Sequence, residues 1–227
     1  MKENYGEFDL HGHTKYSAFP TSIIYSPEEA VIEAKAVGLD GIAITGHDTI
    51  AGLDEGLDAA VKHGVIVIPG IEITSRTGSK TPHILALGID PDEVRRSKNK
   101  IPRYKDPWTV ISWIHNLGGI AVAVHPSKTW KRTSLSYVQV KEYGAIIDGV
   151  EVITTHGQNE QLEDMVKEFN ISGLGSSDFH KLEQIGLVGT KVYGCRSNYK
   201  DILKAIKEKR VEAFFRRDMP IDGKLVL

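Results

Sequence analysis

The chain has 227 residues, 41% of them hydrophobic and 26% charged, an ordinary balance for a globular protein with one sizeable core. A formal charge of −2 gives no reason to expect a surface that coats nucleic acid, and no run of about 18 apolar residues marks a membrane span. The lone Cys195 excludes an internal disulfide or a thiolate cluster and reads as a packing residue, so any metal must be held by histidine and carboxylate.

Apolar runs alternate with amphipathic stretches along the chain. Gly6 to Leu10 is the first strand candidate. Ser26-Pro27-Glu28-Glu29 then opens a helix, with Ser26 as N-cap, Pro27 in the first turn and Glu29 closing a capping box; Val31, Ala34 and Val37 share a face, and Gly38 is the stop. Gly41 to Thr45 reads as a strand, Leu53 to His63 as a helix, and Val65–Ile68 and Gly70–Thr74 as two closely spaced strands. His83 to Leu87, a helix from Pro107 to Gly118-Gly119, and strands at 120–124, 149–153, 171–175, 190–193 and 211–215 continue the pattern, with a helix from about Tyr199 to Glu208. The basic stretch Arg95 to Lys105 reads as a solvated loop, with a phosphate- or RNA-facing role as the alternative. Near-continuous apolar strands separated by helices imply a parallel α/β sheet, and an open doubly wound sheet or a closed barrel both fit. No linker or repeat divides residues 1–227, which read as one domain.

Metal-competent side chains bound these runs. Leu10 leads into His11-Gly12-His13, Thr45 into Gly46-His47-Asp48, and Val124 into His125; Glu72 and Glu151 lie within runs, His83 opens one, and the run ending at Gly175 leads into Asp178-Phe179-His180. Residues at the ends of parallel strands collect at one face, and i, i+2 pairs point the same way. His63, ahead of Gly64, and His115, beside Trp113, read as structural, and His156 is left open. Oxygen and nitrogen donors without thiolate suit Mn²⁺, Zn²⁺ or Fe²⁺, and a carboxylate bridging two ions suits phosphoester hydrolysis.

The ordered set Asp9-Leu10-His11-Gly12-His13-Thr14, Ile44-Thr45-Gly46-His47-Asp48-Thr49, Gly70-Ile71-Glu72-Ile73-Thr74, His83, His125-Pro126 and Ser177-Asp178-Phe179-His180 resembles the PHP (polymerase and histidinol phosphatase) superfamily, in its small metal-dependent phosphoesterase branch. The resemblance implies a distorted (βα)7 TIM-like barrel with the site at the C-terminal strand ends and two or three divalent ions. It assigns His11, His13, Glu72 and Asp178 to a first metal, bridged by Glu72 to a second on His83 and His125, and His47 and His180 to a third. Asp48 would orient a ligand, and a metal-bound water would be the nucleophile. Where the branch carries third-metal ligands this chain has Tyr16-Ser17-Ala18-Phe19 and Gly46, so a dinuclear centre also fits, and the segment between His83 and His125 is short for the branch.

Lys128 is the first candidate to hold substrate phosphate, ahead of Lys131, Arg132 and Arg76, while Trp130 reads as packing. The expected substrate is a phosphorylated small molecule or a nucleotide, with RNA or DNA ends in the same range and no membrane partner. The competing readings are an amidohydrolase-type deaminase and a degenerate barrel that binds metal without catalysis. The N-terminus lacks a secretory apolar stretch, so the cytoplasm is the expected location.

Overall fold

Local chemistry sets the first unit of the barrel. In the computed structural model, which describes residues 4–97, 100–126, 132–194 and 198–216, strand β1 (Tyr5–Asp9) leads to helix α1 (Pro27–Ala36). The Ser26 hydroxyl accepts from the Glu29 N–H (3.2 Å) while the Glu29 carboxylate accepts from the Ser26 N–H (2.7 Å), so the capping box forms as the sequence predicts. The helix gives way to Gly38 at φ 79°, a conformation glycine adopts without strain.

The remaining elements are β2 (Gly41–Ile44), α2 (Leu53–His63), β3 (Ile66–Thr74), β4 (His83–Leu87), α3 (Pro91–Arg96), α4 (Pro107–Asn116), β5 (Ile120–Ala123), α5 (Tyr137–Tyr143), β6 (Gly149–Thr154), β7 (Gly157–Gln158), α6 (Glu160–Phe169), β8 (Ser172–Gly175), β9 (Val188–Tyr193), α7 (Tyr199–Lys207) and β10 (Val211–Phe215). The two runs expected on either side of Pro69 are one strand, β3. Proline has no N–H to donate there, but its carbonyl accepts from Gly88 (2.7 Å) and Ile89 (3.0 Å), so the ladder passes through it. The basic stretch is not all loop: Arg95 and Arg96 end α3, and Arg95 pairs with Asp54 and Asp92.

The sheet is mixed rather than parallel. β1–β2, β2–β3, β5–β6 and β6–β8 pair in parallel, whereas β4 runs antiparallel to both β3 and β5, and β9 antiparallel to β1 and β10. Segment 75–82 between β3 and β4 is too short for the crossover of about a dozen residues that a parallel pair needs. The sheet curls until β8 approaches β9, where the Thr190 hydroxyl donates to the Gly175 carbonyl (2.8 Å) and accepts from its N–H (3.0 Å). A distorted TIM-like barrel results.

Side chains of β4 and β5 alternate between two of the three buried clusters. Leu85 and Leu87 of β4, and Ile120 and Val122 of β5, join Phe8, Leu10 and Ile68 in one; Ile84, Ala86, Ala121 and Ala123 pack with α4 in the other. Helix α7 adds Ile202, Leu203 and Ile206 to the first cluster. Glu72 and Glu151 alternate with Ile71, Ile73, Val150 and Val152, which belong to the second cluster, so both carboxylates face the other way. Among the described residues, no helix is long and apolar enough to cross a membrane.

Candidate metal centre

The two i, i+2 motifs hold each other. Gly12 and Phe179 form a parallel bridge, with His13 N–H donating to the Phe179 carbonyl (3.0 Å) and Phe179 N–H to the His11 carbonyl (3.3 Å). The buried Phe179 ring lies so close to Gly12 that an added Cβ would sit 1.9 Å from it. Only glycine fits between the two histidines, and the bridge places His11 and His13 beside Asp178 and His180.

Glu72 is the hub. Its Oε2 lies 3.2 Å from His11 Nε2, 3.2 Å from His13 Nε2 and 3.1 Å from His47 Nδ1; its Oε1 lies 2.8 Å from His83 Nδ1 and 3.1 Å from His125 Nε2. Asp178 Oδ1 lies 3.0 Å from His13 Nε2 and 3.4 Å from His11 Nε2. His180 is half-buried beside His13, its Nδ1–H donating to the Asp178 carbonyl (2.8 Å). The structure therefore brings together all eight residues singled out: His11, His13, His47, Glu72, His83, His125, Asp178 and His180. Donor atoms converge in three groups, His11/His13/Glu72/Asp178, His47/Glu72/His83 and His13/His47/His180. The first matches the sequence assignment. His47 stands in the other two, closer to Glu72 and His83 than that assignment implied, and His125 reaches the second from the side of Glu72 Oε1.

These donors fit divalent cations. Two donors about 2.1 Å from one ion at a tetrahedral angle lie about 3.4 Å apart, and the observed spacings of 3.0–3.4 Å around Glu72 Oε2 and Asp178 match. His11 Nε2, His47 Nδ1 and Glu72 Oε2 are buried without a hydrogen-bond partner, which is costly unless something else binds them. Burial alone would raise the pKa of Glu72, yet the His11, His83 and His47 imidazoles hold it well below the carboxylate range. Burial likewise opposes charge on His11, and the Asp178, Glu72 and Glu151 carboxylates outweigh it and hold its pKa well above the ordinary value. Burial pulls His47 down to about 3 against the attraction of Glu72. Glu72 is thus an anionic hub ringed by imidazoles.

A second layer of residues orients these donors. Glu151 escaped the sequence-based site list although it lay within a strand run. It accepts from His11 Nδ1–H (2.9 Å), from the Ser176 hydroxyl and from the His125 N–H, which leaves His11 Nε2 free to face Glu72. Ser134 hydrogen-bonds His125 Nδ1 (3.1 Å). Ser17 hydrogen-bonds His13 Nδ1 (3.2 Å), accepts from the His47 N–H, and its hydroxyl lies 3.3 Å from where a Gly46 Cβ would be. Fully buried Asp9 accepts from Ser177 and Gly186, and burial pushes its pKa up to about 6. Asp48, His125 and Asp178 all adopt left-handed backbone, at φ 55°, 35° and 52°; such strain clusters at functional sites.

Asp48 accepts from the Thr74 N–H (2.8 Å) and turns its other oxygen toward Arg103 (3.4 Å), a contact the sequence did not reveal. Arg76 is exposed and lies over the Tyr104 ring, and Arg132 is exposed with its carbonyl bonded to Thr81 N–H. Lys128, Lys131, Trp130 and Cys195 lie outside the described residues. His63 pairs with Glu28 (2.8 Å) and His115 with Asp148 (2.8 Å), away from the cluster. His156 lines a cavity of about 180 Å³ together with His125, Ser134 and Asp178.

A curled α/β barrel with histidine and carboxylate donors converging at one mouth is an architecture suited to a metal-dependent hydrolase. The chain matches the PHP domain family over residues 9–209 and belongs to it. It is 27% identical to a 5′-3′ exoribonuclease of Haemophilus influenzae, over 77% of this chain and 90% of that protein. A 3′,5′-nucleoside bisphosphate phosphatase of Chromobacterium violaceum is 38% identical over a shorter stretch, 37% of this chain and 28% of that one. The fold of this chain resembles that of a two-domain protein of Bacteroides vulgatus containing a predicted PHP-like metal-dependent phosphoesterase, with TM-score 0.75 and 21% identity over 96% of this chain and 68% of that chain.

Proposed function

We propose that this chain is a metal-dependent hydrolase that cleaves phosphoesters of nucleotides or oligonucleotides. The carrying observation is Glu72: one buried carboxylate with five imidazoles within 3.2 Å of its two oxygens, and with a hydrogen-bond vacancy on Oε2. His11, His13, Glu72 and Asp178 would hold one ion, Glu72 with His83, His125 and His47 a second, and His13, His47 and His180 a third where occupied. Bound Mn²⁺, Zn²⁺ or Fe²⁺ would supply an activated water and offset phosphate charge. The chain's own work is positioning. Glu151 fixes the His11 tautomer, Ser17 and Ser134 steady His13 and His125, and Asp48 holds Arg103 at the rim. The nucleotide preference draws on the exoribonuclease and bisphosphatase relatives. Residues 1–227 would form one cytoplasmic domain.

The test is hydrolysis of p-nitrophenyl phosphate and bis(p-nitrophenyl) phosphate by chelator-stripped protein before and after Mn²⁺ addition. Activity that returns with metal is the expected outcome. No release from either ester, or from a nucleotide panel, by metal-replete protein overturns the reading.

A further inference from the structure

Beside the metal centre lies an open cleft of about 660 Å³, lined by Lys100, Arg103, Lys105, Trp108, Ser112 and Asn116 among others. It draws on the basic stretch singled out in the sequence. Lys100, Arg103 and Lys105 bring three cations to it, and no acidic side chain lines it among the described residues. That is a local departure from a chain of formal charge −2. The Trp108 indole stands 53% exposed on the first turn of α4, where burial gives it no reason to be. Asp106, the nearest acid in sequence, is engaged with its own helix, accepting from the Thr109 N–H (3.0 Å) and hydroxyl (2.6 Å).

The cleft is tied to the metal centre. Tyr104 N–H donates to the Thr74 carbonyl (2.7 Å) and Arg76 N–H to the Lys105 carbonyl (2.7 Å), which fastens the loop to the end of β3, two residues beyond Glu72. Tyr104 sits at φ 56°, and its ring is flanked by the Arg76 and Arg103 guanidiniums. Arg103 stands between the two regions, lining the cleft while its Nε approaches the Asp48 carboxylate (3.4 Å).

Cations along a groove with an exposed aromatic face are the means by which proteins hold unpaired nucleic acid, through phosphate contacts and base stacking. We infer that this cleft binds the single-stranded oligonucleotide trailing from the phosphate at the metal centre, an assignment that rests on the phosphoesterase reading for its direction. Trp108 stacks on a base, and Lys100, Lys105 and Arg103 contact successive phosphates. The preferred substrate is then a strand end rather than a free mononucleotide.

The test is an anisotropy titration of a short 3′-fluorescein oligothymidylate with the full chain in EDTA, so that binding is read without turnover. Trp108→Ala is expected to weaken binding about tenfold, with Trp108→Phe restoring most of it. Lys105→Ala should lower the slope of log affinity against log salt by about one. Circular dichroism checks that each exposed-site variant is folded. Absence of binding by the wild type, affinities within twofold for both alanine variants, or equal displacement by polyglutamate overturns the inference. A failure of aryl phosphate hydrolysis would instead strike the catalytic reading and leave this measurement standing.

Discussion

The floor of the barrel mouth and its rim are built on different principles. On the floor, Glu72, His11 and His13 are fully buried, and each histidine is steered by a second residue, Glu151 or Ser17. On the rim, the His180 and Asp178 side chains keep about a third of their surface exposed and that of Arg103 about half. Electrostatic interactions weaken as solvent enters, so the same donor types hold charge far more strongly on the floor than on the rim. The floor is pre-set for cations; the rim is left adjustable for substrate.

That contrast is open to experiment. Glu72→Ala removes the hub and leaves uncompensated imidazoles; metal content by elemental analysis should collapse, and aryl phosphate turnover should fall about a thousandfold, ~4 kcal/mol. Retention of two ions per chain in that variant would show that the floor is not what holds them. Glu151→Gln tests orientation rather than ligation. The amide can still face His11 but carries no charge, and metal affinity by calorimetric titration should weaken about 10–100-fold with the fold intact. An unchanged affinity would reduce Glu151 to packing. His180→Ala is expected to have the smallest effect, about tenfold or less in turnover, because water can replace a half-exposed donor. A loss as deep as that from Glu72→Ala would erase the distinction between floor and rim.

The order of motifs from His11 to His180 was legible in the sequence because, Glu72 apart, each follows or opens an apolar run and because His-x-His and Asp-x-His carry their own spacing. The strand and helix limits 53–63 and 83–87 were legible for the same reason, as was the Ser26 capping box. Three things were not. Glu151 stood out as a metal-competent side chain inside a strand but was assigned no role, and only the curling of the sheet sets it against His11. Arg103 belonged to a basic stretch with no periodicity, and only the docking of its loop on β3 brings it to Asp48. Helices α5 and α6 lay in segments read without elements, although Ser136 and Gln139 form a capping box.

By itself the sequence determined which donors this chain possesses and that they punctuate its strands, since ligand chemistry and alternation are local properties of neighbouring residues. The tertiary structure decided which donors share an ion-sized space. His83 shows why: it opens its strand whereas Glu72 lies near the end of its own and the other donors follow theirs, and it reaches the same mouth only because β4 runs antiparallel. Strand direction is set by long-range pairing, which no local pattern encodes.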